Sequence, residues 1–274
     1  MALAPNLYHL LSSTRYDSSL LAAAWNTAAN EGLQSPYLFL RYHHDRLVAA
    51  ARQHGWHAAQ GGKYDDLQHA CDRAVHDAHS RSDSAGKPMK VRILLSENGV
   101  FLASAAVATT LPILDPTAVA RSPPPETDTP SAREMLLADT TLIIYPDICS
   151  TTSSLFTQTK TTHRPQYDAA RARMGIPPLP APSTADVLLY SPSGGLTETS
   201  IRNIAFWRRS PPCWITPPVA VGCLPGVMRR WLIAQGIVVE ARADELRRED
   251  IGEGEIVMTF NSVEGCRLAL IQFK

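Results

Sequence analysis

The sequence predicts an α+β protein in two parts, and three observations carry that prediction. Helical and strand periodicities both occur within the first hundred or so residues, a proline-rich stretch then interrupts them, and beyond it short strands alternate with turns. A length of 274 residues permits one large domain or two smaller ones, each able to bury a core. Twenty-six Lys and Arg balance twenty-six Asp and Glu, with no dense basic block, so neither a nucleic acid nor an anionic membrane is expected as a partner.

The elements follow in order. Leu20 to Ala29 is rich in Ala and Leu and suits a helix. Pro36 punctuates, and Tyr37-Leu-Phe-Leu reads as a short buried strand. Arg41 to His54 repeats apolar residues at helical spacing, with Leu47, Val48 and Ala51 on one face and Gly55 as the stop. Asp65 to His79 is a second helix, its Leu67, Cys71 and Val75 four apart. Lys90 to Leu95, Glu97-Asn98-Gly99 and Val100 to Ser104 form a strand–turn–strand signal. The run Ser122-Pro-Pro-Pro-Glu-Thr-Asp-Thr-Pro130 excludes helix and central strand and reads as an exposed linker or long surface loop. Thr140 to Tyr145 restarts regular structure as a strand, and Gln166 to Met174 is a helix ended by Gly175 and prolines. Further strands are expected at Asp186 to Tyr190, Asn203 to Trp207, Trp214 to Thr216, Glu255 to Phe260 and Cys266 to Gln272, with a tight turn at Ser193-Gly-Gly195. Pro225 to Gln235 is expected as a helix with proline in its first turn.

Several chemistries are excluded. Cys71, Cys149, Cys213, Cys223 and Cys266 are scattered and odd in number without a CxxC pair, so neither a zinc site nor a disulfide framework is expected, and a reducing, cytoplasmic compartment fits. His69, His76 and His79 share a helical stretch, and without a Cys or paired acid partner at ligand spacing no metal is expected there. There is no GxSxG elbow, GxGxxG turn or Walker motif. The opening Met-Ala-Leu-Ala-Pro-Asn lacks a basic n-region and a long apolar run, so no signal peptide or membrane span is expected.

What remains is a constellation. Lys160, in Thr-Gln-Thr-Lys160-Thr-Thr-His-Arg, is a candidate Schiff-base lysine, or else a solvated surface residue. Glu198 follows two glycines and is either a loop carboxylate or the partner of a protonated pyridine nitrogen, which would keep a pyridoxal ring cationic. Leu224-Pro-Gly-Val-Met-Arg229 sets a glycine and backbone N–H groups at a helix start, where phosphate binds. Asn261-Ser262 can hold a phosphate oxygen or form a simple turn. Arg46 can clamp a phosphate or lie on a helix surface.

Taken in order, Lys160-Thr-Thr-His-Arg, Leu196-Thr-Glu-Thr-Ser-Ile-Arg-Asn203, Thr216-Pro-Pro218, Gly222-Cys-Leu-Pro-Gly-Val-Met-Arg229 and Asn261-Ser-Val-Glu-Gly265 resemble the class IV aminotransferases, the fold-type IV pyridoxal-phosphate enzymes. Ser13-Thr-Arg15-Tyr-Asp and His43-His-Asp-Arg46-Leu resemble N-terminal pieces of the aminodeoxychorismate lyase branch. The resemblance implies the D-amino acid aminotransferase-like fold. A small α+β domain would span 1–115, an interdomain linker 116–137, and a larger β-rich, cofactor-binding domain 138–274. It implies pyridoxal 5'-phosphate as cofactor, with Lys160 as the Schiff-base lysine and Glu198 at the pyridine nitrogen. Arg46, Val227, Met228, Asn261 and Ser262 would be at the phosphate, and Asn203 near the cofactor.

Two departures accompany it. The chain begins about a dozen residues before Ser13, so the family's opening hairpin is expected to be short or missing, and Arg202 stands where the family often has a small or acidic residue. The implied activity is a lyase converting 4-amino-4-deoxychorismate to 4-aminobenzoate and pyruvate, with Arg15 or Arg202 at a substrate carboxylate. The alternative is a transaminase for D-amino acids, branched-chain amino acids or primary amines. Either acts on a small-molecule amine, and the family's usual unit is a homodimer.

Overall fold

The computed structural model describes residues 8–81, 84–109, 111, 115–125 and 142–274. Its contacts divide the chain into two compact units. The first is Met1–Leu114 with Thr159–His163 and Ser262–Glu264, and the second is Asp115–Gln158, Arg164–Asn261 and Gly265–Lys274.

In the first unit, strands β1 (Leu10–Tyr16), β2 (Met89–Leu95) and β3 (Phe101–Val107) form an antiparallel sheet in that order. Helices α1 (Ala24–Ala29), α2 (Leu40–Gln53) and α3 (Tyr64–His79) complete it. Alternation sorts β2 cleanly. Met89, Val91, Ile93 and Leu95 are buried while Lys90 and Arg92 are exposed, so one face packs and the other meets water. The buried face joins Leu47 and Ala51 of α2 and Leu67, Cys71 and Val75 of α3 in one core. Burial pushes the Cys71 thiol up to about 12, so it packs as a small hydrophobe.

Two readings of this region need correction. Tyr37 to Leu40 is not a strand. Tyr37 makes a single bridge to Tyr16, Phe39 takes a left-handed conformation (φ 57°), and Leu40 already begins α2. Several backbone groups here are met by the Asn26 amide, which donates to the carbonyls of Ser35 (2.9 Å) and Tyr37 (3.1 Å) and accepts from Phe39 N (3.1 Å). Strand β1, by contrast, carries no strand signal in the sequence analysis. Its Leu-Leu-Ser-Ser-Thr-Arg-Tyr is buried along most of its length without apolar alternation.

The second unit is built on an eight-stranded mixed sheet. The strands are β4 (Leu142–Pro146), β5 (Ala185–Tyr190), β6 (Leu196–Thr199), β7 (Asn203–Arg209), β8 (Pro212–Thr216), β9 (Val238–Glu240), β10 (Ile256–Asn261) and β11 (Gly265–Ile271). They lie in the order β6-β5-β4-β11-β10-β7-β8-β9. The pairs β4–β5, β4–β11 and β8–β9 are parallel and the others antiparallel. Helices α4 (Leu155–Gln158), α5 (Pro165–Arg173) and α6 (Val227–Ala234) accompany the sheet. Leu142, Ile144, Leu188, Ile204, Phe206 and Val257 form the main core. A second cluster joins Tyr167, Ala170 and Met174 to Val187 and Leu189 of β5.

The proline stretch is described only as far as residue 125, and the remainder of the expected linker lies outside the described residues, as does the start of the expected 140–145 strand. Within it, Ser122 O accepts from the buried Trp214 indole at 2.9 Å, and Pro116 O accepts from Cys266 N at 2.7 Å. Gly265 permits that second contact. A Cβ there would sit 2.5 Å from Pro116 O, and its φ is +71°. The helix expected from Pro225 begins instead at Val227, with Gly226 as its N-cap. The short strand β9 was not anticipated.

Candidate active site

The residues singled out from sequence fall in both units. Lys160, Arg46, Ser262 and Arg15 belong to the first, and Glu198, Asn203, Val227, Met228, Asn261 and Arg202 to the second.

In the first unit β1 organizes everything. One edge pairs with β2, and its other groups bind distant segments. Leu11 N donates to Lys160 O at 2.8 Å, and Arg15 N donates to Ser262 O at 2.9 Å. Thr162 N donates to His9 O at 2.9 Å, and Thr161 bridges to Leu10. The Lys160 segment is thus held as an extension of the sheet rather than as a solvated loop. Between the two docking points Ser12 is fully buried, and its hydroxyl accepts from Arg46 Nη2 at 2.5 Å and lies 2.6 Å from His43 Nδ1. Arg46 and His43 project from the same face of α2, three residues apart. Arg46 is therefore buried against β1 and not on a helix surface. Arg15 is engaged as well. Its Nε donates to Asp17 at 3.0 Å, and its Nη1 donates to Thr109 O at 3.0 Å and Val263 O at 3.5 Å.

In the second unit Glu198 lies on β6, 5% exposed. Three donors converge on its carboxylate, a group that only accepts when ionised. Tyr167 Oη donates to Oε1 at 2.7 Å, Leu224 N to Oε1 at 3.3 Å, and Asn203 Nδ2 to Oε2 at 3.4 Å. Burial and the neighbouring carboxylate hold the Tyr167 phenol well above its ordinary value, so it remains a donor. The same carboxylate opens onto a small cavity whose walls include Thr151, Ser153, Thr157 and Gly222. Burial pushes the nearby Cys223 up to about 12, which keeps it a thiol.

Asn203 links Glu198 to the start of α6. Its Nδ2 also donates to Leu224 O at 2.9 Å. Its Oδ1 occupies the space over Gly226, where an added Cβ would fall 2.0 Å away. The N-cap, being glycine, makes no side-chain hydrogen bond to the first N–H groups of α6, and Val227 and Met228 are both buried there. Gly226→Ala is expected to displace Asn203 and destabilise the protein by about 1–3 kcal/mol, read as a lower urea midpoint at unchanged slope.

Arg202 pairs with a different carboxylate. Its Nη1 donates to Asp186 at 2.9 Å, and Asp186, fully buried, also accepts from Ser200 Oγ (2.5 Å) and Thr199 Oγ1 (2.9 Å) with Arg171 at 3.6 Å. Asp186→Asn removes the charge that two buried guanidinium groups share. It is expected to cost about 1–3 kcal/mol, measured by chemical denaturation.

Sequence reasoning missed Ser12, His43, Tyr167 and the Leu224 N–H. Tyr167 follows the Lys160 run by three residues and Ser12 adjoins Ser13-Thr-Arg15, but neither pattern says which partner the side chain meets. Among the described residues no cluster of His, Cys, Asp or Glu could hold a metal ion, and no helix is long and apolar enough to cross a membrane.

The whole chain resembles solved structures of one architecture. A provisionally named amino-acid aminotransferase of Mesorhizobium loti matches 97% of this chain and 100% of its own, with a TM-score of 0.64 at 21% identity. The fold is that of the fold-type IV pyridoxal-phosphate enzymes. Residues 30–269 match the amino-transferase class IV family, and the chain belongs to that family. Aminodeoxychorismate lyase of Saccharomyces cerevisiae is 35% identical over 136 residues, covering 44% of this chain and 35% of the yeast protein. A provisionally named aminodeoxychorismate lyase of Schizosaccharomyces pombe is 42% identical over 77 residues, covering 28% of this chain and 32% of its own. The chain thus spans about a third of the length of these two relatives.

Proposed function

We propose that this protein is a pyridoxal 5'-phosphate-dependent lyase that converts 4-amino-4-deoxychorismate to 4-aminobenzoate and pyruvate. The observation that carries the reading is Glu198, a buried carboxylate held by Tyr167, Asn203 and the backbone of Leu224 beside a glycine-capped helix start. That donor chemistry fits the cofactor. Glu198 would face the pyridine nitrogen. The α6 start at Val227 and Met228, with Arg46 and the Asn261-Ser262 turn, would hold the phosphate, the N-cap Gly226 making no side-chain hydrogen bond there. Once bound, the cofactor supplies an electron sink for charge developing on the substrate carbon.

The chain's own residues do the rest. Lys160 supplies the amine that anchors the cofactor and, once released, the base that takes a ring proton from the substrate. Loss of that proton lets enolpyruvate depart as the ring becomes aromatic. Glu198 would keep a bound pyridine nitrogen charged, and Tyr167, which donates to it, keeps Glu198 oriented. Arg15 or Arg202 would meet a substrate carboxylate, each from the hydrogen-bonded position given above. The reading also includes a small domain ending near residue 115, a segment 116–137 joining it to the larger domain, a cytoplasmic setting and a homodimeric unit.

The lyase reading is preferred because both curated relatives carry that name. The alternative is a transaminase for D-amino acids, branched-chain amino acids or primary amines, since the Mesorhizobium loti relative is named as an aminotransferase. A substrate panel with and without keto acids decides between them. Pyruvate and 4-aminobenzoate released without any keto acid support the lyase, and amine exchange that requires an acceptor overturns it.

A further inference from the structure

Helix α2 ends at Gln53, and its C-cap residue His54 reaches two hydroxyls at once. Nδ1 lies 2.8 Å from Tyr8 Oη, and Nε2 lies 2.8 Å from Thr159 Oγ1. The imidazole is packed between rings, 5.4 Å from Tyr8 and 5.6 Å from Trp56, and Trp56 is buried. Thr159 is buried too, and it immediately precedes Lys160. On the other side of Lys160 the chain is tied by its backbone, through Leu11 N to Lys160 O and Thr162 N to His9 O. The lysine is therefore bracketed, by main-chain bonds to β1 after it and by a hydroxyl on His54 before it.

Resting on the reading that Lys160 holds the cofactor, we propose that His54 is a positioning residue for Lys160. Its imidazole, braced by Tyr8, fixes the Thr159 hydroxyl and so the backbone from which the lysine side chain departs. Burial pushes the His54 imidazole below its ordinary value, so at neutral pH it has one nitrogen to donate and one to accept. Each hydroxyl can play the complementary part, and the relay closes without a charge. Helix α2 then serves two ends of the same chemistry. Its middle sets Arg46 against Ser12, and its end sets the segment before Lys160. A reacting amine displaced by an ångström loses rate steeply, so a tie of this kind acts on the chemical step more than on binding.

The test uses the full chain loaded with pyridoxal 5'-phosphate. Thr159→Val keeps the side-chain shape and removes the hydroxyl, Thr159→Ser keeps the hydroxyl, and His54→Phe keeps a ring without nitrogens. Thr159→Val and His54→Phe are expected to lower kcat roughly ten- to a hundredfold with KM within about twofold. They should weaken the circular dichroism of the bound cofactor band and slow its borohydride-trappable attachment to Lys160. Thr159→Ser should stay near wild type, and the double variant should be no worse than the poorer single one, since both break one connection. The proposal is overturned if Thr159→Val matches wild type in attachment, dichroism and kcat. It is also overturned if Thr159→Ser falls as far as Thr159→Val, or if the two singles add fully in the double variant. Should wild-type protein trap no cofactor on Lys160, the functional reading itself fails. Should it trap cofactor there while Thr159→Val behaves normally, only the role of His54 fails.

Discussion

Lys160→Ala is expected to leave a folded protein that no longer forms a borohydride-reducible adduct with pyridoxal 5'-phosphate, and whose kcat falls by roughly 10²–10⁴-fold from the lost proton transfer alone. The fold should survive because the main-chain bond from Leu11 N to Lys160 O does not depend on the side chain. Thermal unfolding of the cofactor-free protein should therefore change little, while mass spectrometry after reduction finds no label at residue 160. A label that persists elsewhere on the chain, with activity retained, would assign the wrong lysine. Partial rescue of the variant by a small free amine would separate the base function from the anchoring function.

The second large effect is expected at Glu198. Glu198→Gln replaces a buried carboxylate by an amide that cannot stabilise a protonated pyridine. Losing one partner of a buried charge pair costs about 3–5 kcal/mol, which is roughly 10²–10⁴-fold in rate. The variant should still bind pyridoxal 5'-phosphate, because the phosphate donors proposed at Val227, Met228 and Arg46 are untouched. The absorbance of the bound cofactor should then report an unprotonated ring. A variant with wild-type kcat would remove Glu198 from the chemistry and leave Tyr167, Asn203 and Leu224 N as the framework of a structural glutamate.

Much of the fold was legible because local physics settled it. Leu67, Cys71 and Val75 recur at helical spacing on α3, Met89 to Leu95 alternates with the sheet face, and Gly55 and Gly99 mark turns with positive φ where the sequence expects them. Where long-range contacts override local pattern, the sequence misleads. The apolar run Tyr37 to Leu40 is ambiguous between strand and helix entry, and the Asn26 side chain decides it. The polar run Ser12 to Arg15 is a buried strand because its hydroxyls and guanidinium find partners on α2 and on residues 109 and 263. The candidate site was legible as residue types in order, since an amine, a carboxylate and a glycine-led helix start are chemically distinctive. The residues hydrogen-bonded around them, Tyr167 at Glu198 and His54 at Thr159 among them, are ordinary in sequence and acquire meaning only from what they touch.

Strand β1 also has a bearing on how the protein is made. It precedes most of the elements it meets, for its Leu11 and Arg15 N–H groups donate to the carbonyls of Lys160 and Ser262. Contacts so distant in sequence slow folding, because loop closure must precede the gain. During translation the first unit can assemble its helices and the β1–β2–β3 sheet early, but β1 keeps unpaired groups until residues near 160 arrive, and is complete only when Ser262 and Val263 have been made. A chain truncated before Ser262 would expose that buried polar edge, and aggregation rather than partial activity is its expected fate.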